Sequence, residues 1–148
     1  MTAFKPRNAE FEARVRESFS RQSLMTLFGA ELVRVRPGEV EVELPQNPAL
    51  LQQHGFFHAG VTTSIADTAA GYAALTLFKP DSEVLTTEYK VNLLAPAKGE
   101  KLVARGRVLK PGRTLTICKS DVVAMADGGE TLVATALLTM IQVENLKD

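Results

Sequence analysis

The sequence predicts an α+β fold in which one antiparallel sheet packs on a single long, buried helix. Three observations carry this reading. Residues 59–78 form a run of apolar and small side chains broken by one acid, Asp67. From residue 85 on, the apolar period becomes two, in four stretches separated by turn residues. Upstream, residues 31–44 alternate on either side of Pro37 and Gly38, as a hairpin does.

Each element has its own signal. Over residues 8–28, Phe11, Val15 and Phe19 recur at spacing four, and Leu24, Leu27 and Phe28 continue the apolar face of a helix. Asn8 is placed to cap its start and Gly29 to end it, and the polar stretch 20–23 is a point of division. The expectation is a helix on the rim of the domain, not a lid over a site. In the hairpin, Val33 and Val35 alternate with Arg34 and Arg36. Val40, Val42 and Leu44 then alternate with Glu39, Glu41 and Glu43, whose row reads as a solvated face. A loop with Pro45, Asn47, Pro48 and Gly55 leads to the central helix, which Lys79, Pro80 and Asp81 stop. The first long strand puts Leu85, Thr87, Tyr89, Val91 and Leu93 on one face and Thr86, Glu88, Lys90 and Asn92 on the other. Strands over 102–109, 115–123 and 131–143 follow, with turns at 110–113 and 127–129.

The 148 residues fit one domain, 1–148, with a helical segment over 1–28 and a core over 29–143. Lys+Arg and Asp+Glu are equal at 17 each, which gives no electrostatic footprint for nucleic acid or an anionic membrane. One cysteine, Cys118, excludes an internal disulfide and reads as a core residue in a strand. The first ten residues lack the apolar core of a signal peptide, and no apolar run is long enough to span a membrane. A cytoplasmic protein is the expectation. His54 and His58, four apart in a loop, do not make a metal motif. Ser64 lies outside a GxSxG elbow.

The chemistry is expected on the central helix. Gly60, Ser64, Asp67 and Gly71 share one small, polar face, while Val61, Ile65, Ala69 and Tyr72 share the apolar face beside it. The first turn leaves backbone N–H groups free at the positive end of the dipole, so Ala59 or Gly60 can stabilise an oxyanion. Asp67 can activate water or attack a carbonyl directly. The two features are eight residues apart, about 12 Å along a helix. One reacting carbonyl cannot touch both in one chain. Two antiparallel copies of the helix remove the conflict, so an enzyme using these groups is expected to be a dimer with two shared sites. His58 has two readings, a loop or cap hydrogen bond and a substrate contact. Arg105, Arg107, Lys110, Arg113 and Lys119 form either a solvated edge or a seat for a phosphate-bearing ligand.

The stretch HGFFHAGVTTSIADTAAGYAA resembles the signature of the PaaI-like hotdog-fold acyl-CoA thioesterases, with His58 and Asp67 at the family's nine-residue spacing. EYKVNLLAPAKGE and GRVLKPGRTLTICKSDV are also similar to the family's strands, so the resemblance covers roughly 29–143. It implies a hotdog fold, a long antiparallel sheet wrapped around the helix, assembled as a homodimer or a dimer of dimers. It implies acyl-CoA as substrate, with no cofactor and no metal. By resemblance Asp67 is the general base or nucleophile, Ala59 the oxyanion donor, and His58 a contact to the thioester. Gln52 and Thr86 would position substrate or water. Gly60 would line the substrate site, Phe56 and Phe57 either line it or pack in the core, and Lys110 and Arg113 would sit at the CoA phosphates. Two departures stand out: H-A-G replaces H-G-G, and Gln52 replaces an asparagine. A non-catalytic acyl-CoA binding or sensor protein is the alternative, and Asp67 argues against it.

Overall fold

A computed structural model describes residues 3–147. The ends of the expected domain, residues 1, 2 and 148, lie outside the described residues. Three helices and six strands follow in the order α1 (Phe11–Ser20), α2 (Ser23–Phe28), β1 (Glu31–Arg36), β2 (Glu39–Pro45), α3 (Ala59–Leu75), β3 (Ser82–Leu93), β4 (Lys101–Lys110), β5 (Leu115–Ala126) and β6 (Gly129–Glu144). A single 3-10 turn, Pro48–Leu50, interrupts the loop before α3. The strands form one antiparallel sheet in the order β1-β2-β4-β5-β6-β3. The sheet wraps the long helix, which is the hotdog fold.

Helix α3 is buried nearly all round, with Ile65, Ala69, Ala70, Ala73 and Ala74 fully enclosed. Its alanines keep it slim, and Gly106 on β4 lets it lie deep. A Cβ at Gly106 would stand 2.3 Å from the Ala69 carbonyl carbon and oxygen. Backbone therefore meets backbone at this crossing. The end of α3 is tied to the β1–β2 turn, where the Gly38 N–H donates to Thr76 Oγ1 at 2.7 Å. Gly38 has φ +77°, the left-handed conformation this turn requires.

The N-terminal segment divides as its polar stretch suggests, into α1 and α2, and Gly29 ends α2 with φ +75°. Asn8 does not cap α1. Its Oδ1 accepts from the Glu10 N–H at 3.0 Å, and the cap position falls to Glu10, whose side chain makes no capping bond. The glutamate row of β2 is engaged rather than merely solvated. Glu41 pairs with Arg34 and Arg105, and Glu43 with Lys101. Cys118 is fully buried, and burial pushes its thiol pKa up to about 12.

The expected alternation of β3 fails in its middle. A bulge between Thr86 and Glu88 shifts the register against β6. Thr86 pairs with buried Met140 before the bulge; Tyr89, Val91 and Leu93 pair with buried Leu138, Ala136 and Ala134 after it. Paired residues share a sheet face, so Thr86 and Tyr89 both look toward the helix side. Yet Tyr89 and Leu93 are 55% and 57% exposed. Strand β3 is thus a twelve-residue sheet edge with an uncovered apolar flank. No helix among the described residues is long and apolar enough to cross a membrane.

The Gly106 crossing gives a direct test. Gly106→Ala is expected to lift α3 from β4 and lower stability by about 1–3 kcal/mol, the range for overpacking a core. Urea unfolding of the two proteins measures it.

Candidate active site

Asp67 sits in the middle of α3, on the side that faces β3. Its carboxylate is half-buried, and Thr86 Oγ1 donates to its Oδ1 at 2.7 Å. Burial raises the Asp67 pKa above the ordinary 3.8, and the Thr86 hydrogen bond opposes that rise without cancelling it. The carboxylate is therefore a stronger base than a solvated aspartate. The bulge explains why Thr86 is within reach, since it allows Thr86 and Tyr89 to take the same face.

Asp67 and Thr86 line a cavity of about 210 Å³. Its wall includes Ser18 and Gln22 from the N-terminal segment, and Tyr72 and Glu83. The expectation of a segment confined to the rim is corrected here. Gln22, at the cap of α2, accepts from Thr68 Oγ1 at 3.1 Å and donates to Tyr72 Oη at 3.4 Å. Ser18 and Tyr72 share a hydrogen bond of 3.3 Å. Glu83 is held by Arg14 of α1 at 3.4 Å. Phe11, Val15 and Phe19 signal the packing face of α1 in the sequence, but nothing local marks Ser18 or Gln22 as pocket residues.

The start of α3 lies in a different cavity, of about 560 Å³, lined by Gln52, Phe56, His58, Ala59, Leu93 and Leu94 among others. His58 is the cap of α3: its Nδ1 accepts from the Gly60 N–H at 2.9 Å. That bond places the proton of a neutral imidazole on Nε2. It also corrects the reading of Gly60 as a donor to substrate, because its N–H is already used. The Ala59 N–H is exposed and has no partner among the described residues. Of the two candidate oxyanion donors, only Ala59 is free.

The remaining candidates divide. Gln52 lines the cavity, its Oε1 accepts from the His54 N–H, and its NH₂ group remains free to donate. His54 has no other role in the site. Phe56 and Phe57 both line the wall; Phe56 is half-buried, while Phe57 is also a core residue whose N–H donates to the Ala97 carbonyl at 2.8 Å. Lys110 and Arg113 are exposed at the β4–β5 turn and line neither cavity. Arg105 is committed to Glu130 and Glu41, and Lys119 to Asp121 at 3.0 Å. Among the described residues no group of three His, Cys, Asp or Glu side chains is placed to hold a metal. One chain brings Asp67 to Thr86, and His58 and Ala59 to Gln52 and Phe56. It does not bring the two sets together.

Comparison with known proteins agrees with this architecture. Residues 54–136 match the family model of the Thioesterase superfamily. The chain belongs to that superfamily. A solved thioesterase family protein from Silicibacter pomeroyi is 44% identical, with a TM-score of 0.90 over 91% of this chain and 99% of that one. Human acyl-coenzyme A thioesterase 13 is 30% identical over 98 residues, 66% of this chain and 69% of that protein. The Escherichia coli PaaI protein of the phenylacetic acid degradation operon shares the fold, with a TM-score of 0.82 at 17% identity over 90% of this chain and 94% of that one. The chain is a hotdog-fold thioesterase, and the PaaI likeness is one of fold.

Two outcomes test this geometry. A carboxyl group whose pKa is raised on folding weakens the fold at pH above the raised value, and the effect vanishes below the unfolded value of 3.8. Asp67→Asn is therefore expected to raise the urea midpoint at neutral pH, with the gain shrinking as pH falls from the raised value toward 3.8 and gone below it. His58→Ala is expected to lose about 1 kcal/mol by removing the cap, and His58→Asn to restore most of it. Chemical unfolding of both variants reads the difference.

Proposed function

We propose that this chain hydrolyses acyl-CoA thioesters to a free carboxylic acid and CoA, at two sites that are each shared between two copies. One observation carries the reading. The activated carboxylate, Asp67 with Thr86, and the free N–H of Ala59 occupy separate cavities of a single chain. Both face the flank where β3 ends the sheet. A second copy placed antiparallel across that flank sets the Asp67 of one chain against the Ala59 of the other. The apolar flank of Tyr89, Leu93 and Leu94 supports such a contact, since a long bare strand edge calls for cover. The acyl-CoA relative named above supports the substrate class.

The mechanism needs no metal or redox cofactor. Asp67 takes a proton from water as the water oxygen bonds to the thioester carbon. The carbonyl oxygen becomes an oxyanion, which the Ala59 N–H of the other chain and the positive end of its helix stabilise. The C–S bond then breaks, and the proton held by Asp67 passes to the CoA sulfur. Thr86 keeps the carboxylate oriented. His58, fixed by its bond to the Gly60 N–H, presents its Nε2–H at the same end as Ala59 and can donate to the carbonyl oxygen or the sulfur. The exposed Lys110 and Arg113 are candidates for the CoA phosphates only where assembly brings them to a shared site.

Release of free thiol from a panel of acyl-CoAs tests the reaction, and Asp67→Asn is expected to lose about a hundredfold or more in kcat. A mixing experiment tests the sharing. Ala59→Pro removes the N–H at the first helical position, where proline is well tolerated, and His58 already has the extended φ −61°, ψ 138° that precedes proline. Each variant alone is expected to be inactive. An equal mixture, unfolded and refolded together, is expected to recover roughly a quarter of wild-type activity, because half the dimers are mixed and each has one intact site. No recovery would refute the shared site.

A further inference from the structure

Gly71 lies one turn beyond Asp67 on the same helix face. It is buried, its φ is helical, and a Cβ built on it meets nothing within 4 Å. Glycine is the poorest helix former after proline. At Gly106 a close backbone requires it; at Gly71 neither backbone conformation nor packing within the chain does. The space outside Gly71 is the 210 Å³ cavity that Asp67 lines. The N-terminal segment forms one wall of that cavity, and Gln22 is the fixed point of the wall, bonded on one side to Thr68 and on the other to Tyr72. The volume lies below the roughly 300–1,000 Å³ of sites for drug-sized ligands. The lining groups, Ser18, Gln22, Thr68, Tyr72, Glu83 and Thr86, are polar.

We propose that Gly71 and Gln22 set the size of the acyl group: Gly71 leaves room for it beside Asp67, Gln22 ends that room, and the enzyme takes short acyl groups and rejects long saturated chains. A long chain would have to displace Gln22 or strip water from the amide and hydroxyl groups without replacing their hydrogen bonds. The N-terminal segment then acts as the end wall of the acyl site. This inference rests on Asp67 being the reacting carboxylate.

The test reads binding, so it does not depend on turnover. Calorimetric titration with hydrolysis-resistant 2-oxoalkyl-CoA thioethers, from oxopropyl to oxodecyl, gives a chain-length profile for each protein. Wild type is expected to favour the short members. Gly71→Ala is expected to steepen the profile, lowering the ratio of long-chain to short-chain affinity about tenfold or more, the scale of one methyl group in a fitted pocket. Its unfolding midpoint should equal or exceed that of wild type, which separates lost room from lost structure. Gln22→Ala is expected to shift the longest accepted chain upward. Unchanged profiles in both variants would overturn the proposal, as would equal wild-type affinity for oxopropyl and oxodecyl. So would dissociation of the Gly71→Ala oligomer in light scattering, which would assign the room to a neighbouring helix. A wild type that binds this series with the expected profile but hydrolyses no acyl-CoA would count against hydrolysis alone.

Discussion

The depth at which α3 lies in the sheet depends on one contact, the meeting of Gly106 with the backbone of Ala69. Two backbones approach this closely only where side chains are absent or minimal. The alanines of α3 answer the glycine of β4, and Ser120, the partner of Gly106 on β5, is also small and fully buried. From that crossing the rest follows. The helix is enclosed on nearly every side, so a charged group on it is costly wherever it falls. Asp67 falls on the one flank where the sheet stops.

The same helix supplies two kinds of chemical help from places that cannot meet. At its middle, partial burial makes a carboxylate more basic, and Thr86 keeps that carboxylate in one orientation. At its start, His58 consumes one of the backbone donors and leaves another bare. The cap is thus both a structural bond and a choice of donor. The substitution of H-A-G for H-G-G retains that choice, since a methyl group at Ala59 does not alter the N–H.

Much of this was legible because it is written as period. The hairpin, the apolar run of α3 and its lone acid, and the four long strands all announce themselves by spacing. The distance between Asp67 and Ala59 also follows from helix geometry alone. Three features did not show. The bulge after Thr86 costs one residue of alternation, and the Thr87–Tyr89 pattern continues across it without a glycine or proline to mark it. Gln22 read as part of a polar interruption of a helix and Ser18 carried no signal, because their partners, Tyr72 and Thr68, are about fifty residues away. The sequence allowed His58 a cap hydrogen bond, but which backbone donor it takes, the Gly60 N–H, is a matter of one rotamer that no spacing encodes. Lys110 and Arg113, grouped by nearness to a turn, line neither cavity of the single chain.

Cys118 has a consequence for how such a protein is handled. It is the chain's one cysteine, it is walled in by the core, and burial pushes its thiol pKa well above the ordinary range. A disulfide reagent added to report sulfhydryl groups in solution therefore finds almost none on the folded protein. The molecule contributes no background of its own to such a colour reaction, and the appearance of that background would itself report that the fold had opened.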